Sequence, residues 1–150
     1  MNIIFISSEV ADIIKTGGLS DVAKALPAQL KANGHNVRVI MPCYSIIKGV
    51  ENFPVIGHSS LNPGTDRQID YTIRSTKIAN DLEVWLLECP RYYNRTSIYG
   101  DNNQAYWDNG ERYGFLAAAA LDCCKALNFC PDIVHCNDWH AGLTPMILRI

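Results

Sequence analysis

The sequence predicts an α/β fold in which helices cover both faces of a mostly parallel sheet that also carries an antiparallel hairpin. Short apolar runs, typical of strands buried on both faces, alternate with longer segments whose apolar residues recur at helical spacing. Strand, helix and strand follow one another at the start, which makes a right-handed crossover unit. Farther along, two strand patterns separated by a tight turn indicate the hairpin.

The crossover unit occupies the first part of the chain. We expect a buried strand at Ile3–Ile6, a helix over Leu19–Asn33 and a second strand at Asn36–Met41. Apolar residues at helical spacing are predicted to form one face of the helix: Leu19, Val22, Ala23, Leu26 and Leu30. This order of elements predicts two neighbouring parallel strands.

The hairpin lies in the middle of the chain. Apolar and polar residues alternate over 69–74, Asn80-Asp81 is a plausible tight turn, and Leu82–Glu88 is the predicted return strand. The preceding segment, 44–64, contains turn formers and gives no clear pattern. We therefore expect a two-stranded antiparallel addition to the parallel sheet.

The longest predicted helix follows the hairpin. Its start, Asp108 to Glu111, matches a capping box with Asp in place of Ser or Thr. Its recurring apolar residues are Tyr113, Leu116, Ala117, Ala120, Leu121, Cys124 and Leu127. A short strand is expected at Asp132–Cys136. A last apolar helical pattern is cut at Ile150, so we expect the chain to be a piece of a longer protein.

Composition excludes several classes of partner. With 150 residues and a net charge of −2, the chain fits one domain and offers no basic face to nucleic acid or an anionic membrane. The six cysteines lie in or beside apolar segments, with no CxxC pair and no secretion signal. We expect reduced thiols in a cytoplasmic protein. Cysteine and histidine spacings do not match a zinc site, so no metal is expected.

Two adjacent glycines, Gly17 and Gly18, follow Lys15 and precede the first helix. Glycine allows a sharp turn and close approach of a ligand, and the helix end directs N–H groups and partial positive charge at that space. With the lysine, this predicts an anion site, most simply for a phosphate or diphosphate. The spaced glycine of a dinucleotide fingerprint and the lysine of a Walker loop are missing, so a plain strand-to-helix turn stays open.

Polar residues beyond the last strand strengthen the prediction of a site. In open α/β sheets ligands bind beyond the carboxyl ends of the strands, so Asp138 and His140 should share a crevice with the glycine pair. Asp138 could instead cap the following helix, and Trp139 could be packing. The loop 90–107 is rich in Tyr, Arg and Asn, residue types that suit sugar rings, although its tyrosines could also pack on the domain.

Two long motifs, SSEVADIIKTGGLSDVAKALP and DIVHCNDWHAGLTP, resemble the start of bacterial glycogen synthases and plant starch synthases, the ADP-glucose-dependent family. PRYYNR and DNGERYGF add to the resemblance, which covers essentially the whole chain. It implies a GT-B glycosyltransferase of two Rossmann-like halves. Such enzymes transfer glucose from ADP-glucose to the non-reducing end of an α-1,4-glucan, with retention and without a metal. Residues 1–150 would then be the amino-terminal, acceptor-side domain, truncated at its carboxyl end, with a second GT-B domain as its partner.

The resemblance also implies roles for individual residues. Lys15 matches the lysine that neutralises the donor diphosphate, and Gly17 and Gly18 match the loop whose amides face that charge. Asp21 and Asp138 match carboxylates implicated in catalysis at the donor and glucosyl site. These roles agree with the chemistry, because amides and a lysine can stabilise the charge that builds on departing ADP.

Further matches are Tyr93, expected near the donor sugar, and His140 and Asn109, expected to bind substrate. Asp12 departs from the family, in which many members have proline. The catalytic glutamate and the main nucleotide pocket would lie beyond residue 150, so we expect the chain alone to have no turnover. A transferase using another nucleotide sugar and a non-catalytic glucan- or nucleotide-binding domain stay open as alternatives.

Overall fold

The computed structural model describes residues 1–62 and 67–149. In that part of the chain, six strands form one sheet in the order β3-β4-β5-β2-β1-β8, and β6 and β7 form a separate small hairpin. The elements in chain order are β1 (Asn2–Ile6), α1 (Gly18–Ala32), β2 (Asn36–Pro42), β3 (Val55–Leu61), β4 (Ile69–Ile78), β5 (Leu82–Glu88), α2 (Pro90–Tyr93), β6 (Gly100–Asp101), β7 (Gln104–Ala105), α3 (Asn109–Ala126), β8 (Ile133–Cys136) and α4 (Thr144–Ile147).

The four strands β5, β2, β1 and β8 are parallel. The sheet continues beyond β5 with β4, which is antiparallel to β5, and with β3, which is antiparallel to β4. The predicted fold class is thus confirmed. Residues Ile3–Ile6 are buried on both faces, as the unbroken apolar run predicts. Around this strand the core continues through β2, β5 and the inner face of α3.

The connections reverse direction at β1. The crossover through α1 leads from β1 to β2, and the crossover containing α3 leads from β5 back past β1 to β8. Crossovers between parallel strands are right-handed as a rule, and two such crossovers that run in opposite directions along a sheet place their helices, here α1 and α3, on opposite faces. The carboxyl ends of β1 and β8 therefore flank a topological switch point, where α/β proteins bind their ligands.

The predicted hairpin is present as β4 and β5, and its turn places Asn80 and Asp81 at φ of 64° and 57°. The strand β3 was not predicted. It lies at the edge of the sheet, its residues are exposed or half-buried, and VIGHSSL lacks a clean apolar alternation. In the unassigned segment 44–64, positions 63 and 64 lie outside the described residues.

The buried face of α1 differs from the predicted one. Ala23 is buried as expected, but Val22 and Leu26 are 49% and 38% exposed, and the chain instead buries Ser20 and Pro27. Leu30 packs against the core. The contact face of α1 is therefore rotated from its most apolar stripe, which leaves two apolar side chains in solvent.

The capping box predicted at α3 is wrong. Asp108 stands at the N-cap position but makes no side-chain cap hydrogen bond, because its carboxylate pairs with Arg95 at 2.6 Å. Glu111 accepts a hydrogen bond from the Tyr92 hydroxyl at 2.6 Å and lies 3.6 Å from Arg91. Both carboxylates have charged or hydroxyl partners in the preceding loop, and these replace the reciprocal cap.

Three further observations bear on the class of protein. All six cysteines belong to the described residues and are free thiols, with Cys130 exposed and Cys136 half-buried. Within residues 1–62 and 67–149, no cluster of three or more His, Cys, Asp or Glu side chains could hold a metal ion. None of the helices in those ranges has the length and apolar character needed to cross a membrane.

Candidate functional site

A pocket of about 370 Å³ opens where the loops after β1 and β8 emerge together. Asn137 joins the two strand ends, since its backbone N–H and its side-chain amide both donate to the carbonyl of Ile6, at 3.1 and 3.0 Å. The pocket is lined by Glu9, Thr16, Gly17, Gly18, Leu19, Tyr99, Asp138, Trp139 and His140. The switch point of the sheet thus carries a pocket built from the two sequence motifs.

The glycine pair forms one wall at the amino end of α1. Gly17 is extended, at φ −151° and ψ −166°, and neither glycine adopts the left-handed region, so the turn itself does not require glycine. A Cβ on Gly18 would meet no atom within 4 Å, and none of the described side chains caps the helix. The expected sharp turn is absent, but the expected room for close approach to free N–H groups is present.

Glu9 anchors the loop that leads into this wall. Its side chain is 2% exposed, and its Oε2 accepts hydrogen bonds from the backbone N–H of Thr16 at 2.6 Å and from Thr16 Oγ1 at 2.8 Å. Its Oε1 lies 3.8 Å from the position that a Cβ on Gly17 would take. Hydrogen bonds to a carboxylate are stronger than those between neutral groups, so Glu9 fixes the loop just before the glycines.

Asp138 forms the opposite wall in a strained conformation. At φ 60° and ψ 179° it occupies a backbone region that is essentially reserved for glycine. Its Oδ1 accepts a hydrogen bond from the N–H of Trp139 at 2.7 Å, which caps the short 3₁₀ turn Trp139–Ala141. The alternative capping role is therefore present, and the same carboxylate also lines the pocket.

Aromatic rings enclose the pocket on its third side. His140 is buried and stacks on Tyr99 with ring centroids 4.8 Å apart, while Tyr113 meets it edge-on at 4.6 Å and Trp139 lies 3.9 Å away. Burial lowers the pKa of His140, although the charges of Asp138 and Glu9 act in the opposite direction. Since the ordinary pKa is near 6.5, the imidazole is neutral at pH 7 and acts as a flat polar wall.

Tyr99 owes its position to α3. The side-chain amide of Asn109 donates to the Tyr99 carbonyl at 2.8 Å, and Asn109 Oδ1 accepts from the fully buried Arg112 at 2.7 Å. Arg112 also donates to the carbonyl of Ile98 at 2.9 Å. At the far end of the ring, the Tyr99 hydroxyl lies 2.7 Å from Ser8 Oγ. Asn109 thus lies behind the pocket and supports its wall.

The structure brings together four of the eight predicted site residues: Gly17, Gly18, Asp138 and His140 line the pocket. Lys15 and Asp21 lie beside it and are exposed, and the Lys15 ammonium contacts both carboxylate oxygens of Asp21 at 2.7 Å.

Tyr93 is not at the pocket. Its side chain is 1% exposed, and its hydroxyl donates to the carbonyl of Arg112 at 3.1 Å inside the core. Tyr99, six positions along the same loop, occupies the pocket wall instead. Sequence reasoning missed Tyr99 and Glu9. The available signal for Glu9 was a carboxylate three residues after a buried strand, at the ligand-binding edge of the sheet.

Comparisons with known proteins agree with this architecture. The sequence profile of the family described as the starch synthase catalytic domain matches residues 2–150. Glycogen synthase of Photobacterium profundum is 47% identical over 150 residues, which is 99% of this chain and 29% of that protein. Glycogen synthase of Aeromonas salmonicida is 48% identical over 151 residues, which is 99% of this chain and 31% of that protein.

A solved structure is similar as well. The catalytic domain of starch synthase IV from Arabidopsis thaliana, bound to ADP and acarbose, superposes with a TM-score of 0.76 at 26% identity. The match covers 95% of this chain and 29% of that chain. The present chain therefore spans under a third of the length of these proteins, and it belongs to the starch synthase catalytic domain family.

Proposed function

We propose that the full-length protein is a retaining glycosyltransferase of glycogen synthesis, which transfers glucose from ADP-glucose to the non-reducing end of an α-1,4-glucan. The observation that carries this proposal is the shared pocket of Gly17, Gly18, Asp138 and His140 at the switch point of the sheet. The names of the bacterial relatives and the ADP bound to the plant enzyme support the choice of reaction and of donor.

The walls of the pocket suit the two groups that become charged in this reaction, the departing diphosphate and the glucosyl carbon. When the bond between glucose and ADP breaks, negative charge develops on the diphosphate, and the free N–H groups at the amino end of α1 stabilise it. The glucosyl carbon becomes oxocarbenium-like, and the carboxylates of Glu9 and Asp138 supply negative charge near it. Both effects are larger in the transition state than in the ground state.

The aromatic side of the pocket suits a sugar. Tyr99 and Trp139 offer ring faces for the C–H surfaces of glucose, and neutral His140 can accept or donate hydrogen bonds to hydroxyls. We assign this side to the glucose units at the reaction centre. Asn109 contributes by supporting Tyr99.

Lys15 is assigned to the diphosphate and Asp21 to the orientation of Lys15. In the absence of ligand, the Lys15 ammonium is paired with Asp21 at 2.7 Å. Because both side chains are exposed, this pair is weak and the ammonium can exchange one anionic partner for another. The flexible stem of lysine allows the ammonium to reach a diphosphate at the glycine wall.

We also propose that residues 1–150 form the larger part of the amino-terminal, acceptor-side domain of a GT-B enzyme, truncated at its carboxyl end, and act in the cytoplasm with a second domain of the same protein. The 29% to 31% of the relatives' length that the chain spans supports this division. The chain alone is then inactive, because one wall of an interdomain cleft cannot complete the donor site.

A transfer assay tests the proposal. The purified full-length protein should elongate a maltooligosaccharide with ADP-glucose and form α-1,4 linkages, and UDP-glucose should be the poorer donor. Residues 1–150 produced alone should show no turnover. A strong preference for UDP-glucose, or robust elongation by residues 1–150 alone, would contradict it.

Lys15→Gln tests whether Lys15 binds the donor in particular or supports activity as a whole. It should raise the half-saturating concentration of ADP-glucose far more than that of the glucan. Lys24→Gln is the matched control, because Lys24 lies on α1 and pairs with Asp12 at 2.7 Å on the same loop. If the two variants had the same half-saturating concentration of ADP-glucose, the assignment of Lys15 to the donor site would be wrong.

A further inference from the structure

Trp107 is a large apolar residue that does not line the pocket. The residue is 91% exposed, more than any other large hydrophobic residue in the described part of the chain. Leaving a whole indole in water forgoes a large burial free energy, so such a residue commonly marks a contact surface.

The backbone on both sides of Trp107 is held firmly. On one side, two guanidinium groups lie over the Tyr106 ring, with distances to the ring centroid of 5.3 Å for Arg95 and 5.0 Å for Arg112. On the other side, Asp108 is buried and pairs with Arg95 at 2.6 Å. The indole is therefore carried on a fixed frame, and a partner would meet it without first having to order a loop.

Hydrogen-bonding side chains surround this frame. The tip of the small β6–β7 hairpin places Asn102 and Asn103 in the left-handed region, at φ 49° and 61°. The exposed residues of the hairpin are Asp101, Asn102, Asn103, Gln104 and Ala105. An aromatic face beside amide and carboxylate groups has the chemistry of a sugar contact, because a sugar offers apolar C–H faces and a rim of hydroxyls.

Trp107 is also close to the pocket. The N–H of Tyr106 donates to the carbonyl of Tyr99 at 3.0 Å, so the two backbones run side by side. With about 5 Å between such paired residues and about 3.8 Å to the next Cα, the Cα atoms of Trp107 and Tyr99 are within roughly 9 Å. A glucan chain that leaves the Tyr99 wall can therefore reach the indole within a few glucose units.

We propose that Trp107 and the β6–β7 hairpin form an outer contact for the glucan acceptor, separate from the pocket in which glucose is transferred. This inference rests on the proposed function for the identity of the ligand, an α-1,4-glucan. The contact holds chain segments beyond the reacting end, so it acts on long acceptors and leaves the donor site unaffected.

Kinetics on the full-length protein test this contact. Trp107→Ala should raise the half-saturating concentration of glycogen roughly two- to tenfold, the range expected for losing one aromatic contact. The half-saturating concentration of ADP-glucose should not change. Trp107→Phe keeps a ring and should recover most of the loss. Val55→Ala, at an exposed position on β3 near the opposite edge of the sheet, is the control for loss of exposed apolar surface.

Binding without turnover keeps the test independent of the proposed function. In native gels containing glycogen, the wild-type protein should be retarded, and Trp107→Ala should migrate faster than wild type. If no donor supports transfer but this difference is present, the outer contact stands and the reaction is misassigned. If transfer occurs, and Trp107→Ala changes neither the half-saturating concentration of glycogen nor the retardation in the gel, the outer contact is refuted.

Fluorescence gives a direct readout of the indole. Residues 1–150 contain three tryptophans, of which Trp85 is buried and Trp139 lines the pocket, so Trp107 is the reporter on the outer surface of this part of the full-length protein. In full-length Trp139→Phe, the emission that is lost on adding Trp107→Phe is that of Trp107, and maltoheptaose should shift this difference spectrum. An unchanged difference spectrum, or a change of oligomeric state with Trp107→Ala and no effect on glycogen, would overturn the assignment.

Discussion

Glu9→Gln is the sharpest test of how the glycine wall is built. The substitution keeps the size of the side chain and its ability to accept both hydrogen bonds from Thr16, but it removes the negative charge. The prediction is that the loop before Gly17 loosens although the fold is unchanged.

The magnitude follows from the two contacts at 2.6 and 2.8 Å. Hydrogen bonds to a charged acceptor contribute about 1.5–3 kcal/mol each, and neutral ones about 0.5–1.5 kcal/mol. Losing the charge from two bonds therefore costs about 2 kcal/mol of local order, which corresponds to roughly 30-fold more frequent opening. Global stability is the wrong readout, because the substitution also removes the cost of a buried charge.

Hydrogen exchange of the Thr16 amide in the full-length protein measures this opening. Glu9→Gln should accelerate exchange at Thr16 by roughly 30-fold and leave the strand amides of β1 unchanged. Glu51→Gln, at an exposed position, should leave Thr16 exchange unaltered. If Glu9→Gln exchanges like the wild type, the carboxylate does not hold the loop and the role given to Glu9 is wrong.

Substitutions at three further positions probe the same region. Asp138→Gly should be more stable to thermal unfolding than Asp138→Ala by about 1–3 kcal/mol, because only glycine relieves the backbone strain, and both should lose turnover; a more stable alanine variant would show that no strain exists. Asp12 has φ 77°, which a proline ring cannot adopt, so Asp12→Pro should destabilise the protein by about 3 kcal/mol or force a different loop, whereas Asp12→Gly should be tolerated. Equal melting temperatures and loop exchange in these two variants would contradict the described turn. Burial lowers the pKa of His140, so its contribution to stability is present above about pH 6.5 and is lost as the pH falls. His140→Gln should therefore flatten the fall in melting temperature between about pH 7 and pH 5.

The parallel core could be predicted because its strands are buried on both faces. An unbroken apolar run such as Ile3–Ile6 admits few other interpretations, and a helical pattern between two such runs predicts the crossover. The strand β3 could not be predicted, because an edge strand needs little apolar surface and shows little alternation. The prediction of the contact face of α1 was wrong for a related reason. Helical spacing locates the apolar stripe of a helix, but it does not determine which residues beside that stripe contact the sheet.

At the site, topology predicted more than residue type did. Knowing that β1 and β8 end at one edge was enough to bring Gly17 and Asp138 together. It could not select among the tyrosines of the intervening loop, since α2 turns Tyr93 into the core and the Asn109 amide holds Tyr99 at the pocket. The ion pair of Lys15 with Asp21 could not be predicted from the sequence either, because the partners of exposed side chains near a helix end depend on their rotamers.

The outer strand of the sheet has a practical consequence for recombinant work. Among residues 1–62 and 67–149, β1 is the only strand hydrogen-bonded to β8, and Ile133 of β8 is 40% exposed. The free N–H and C=O groups of β8 form a ready template for another extended chain. When residues 1–150 are expressed alone, we expect them to self-associate as their concentration rises. Placing a lysine at Ile133 is the first substitution to try for keeping such preparations monodisperse.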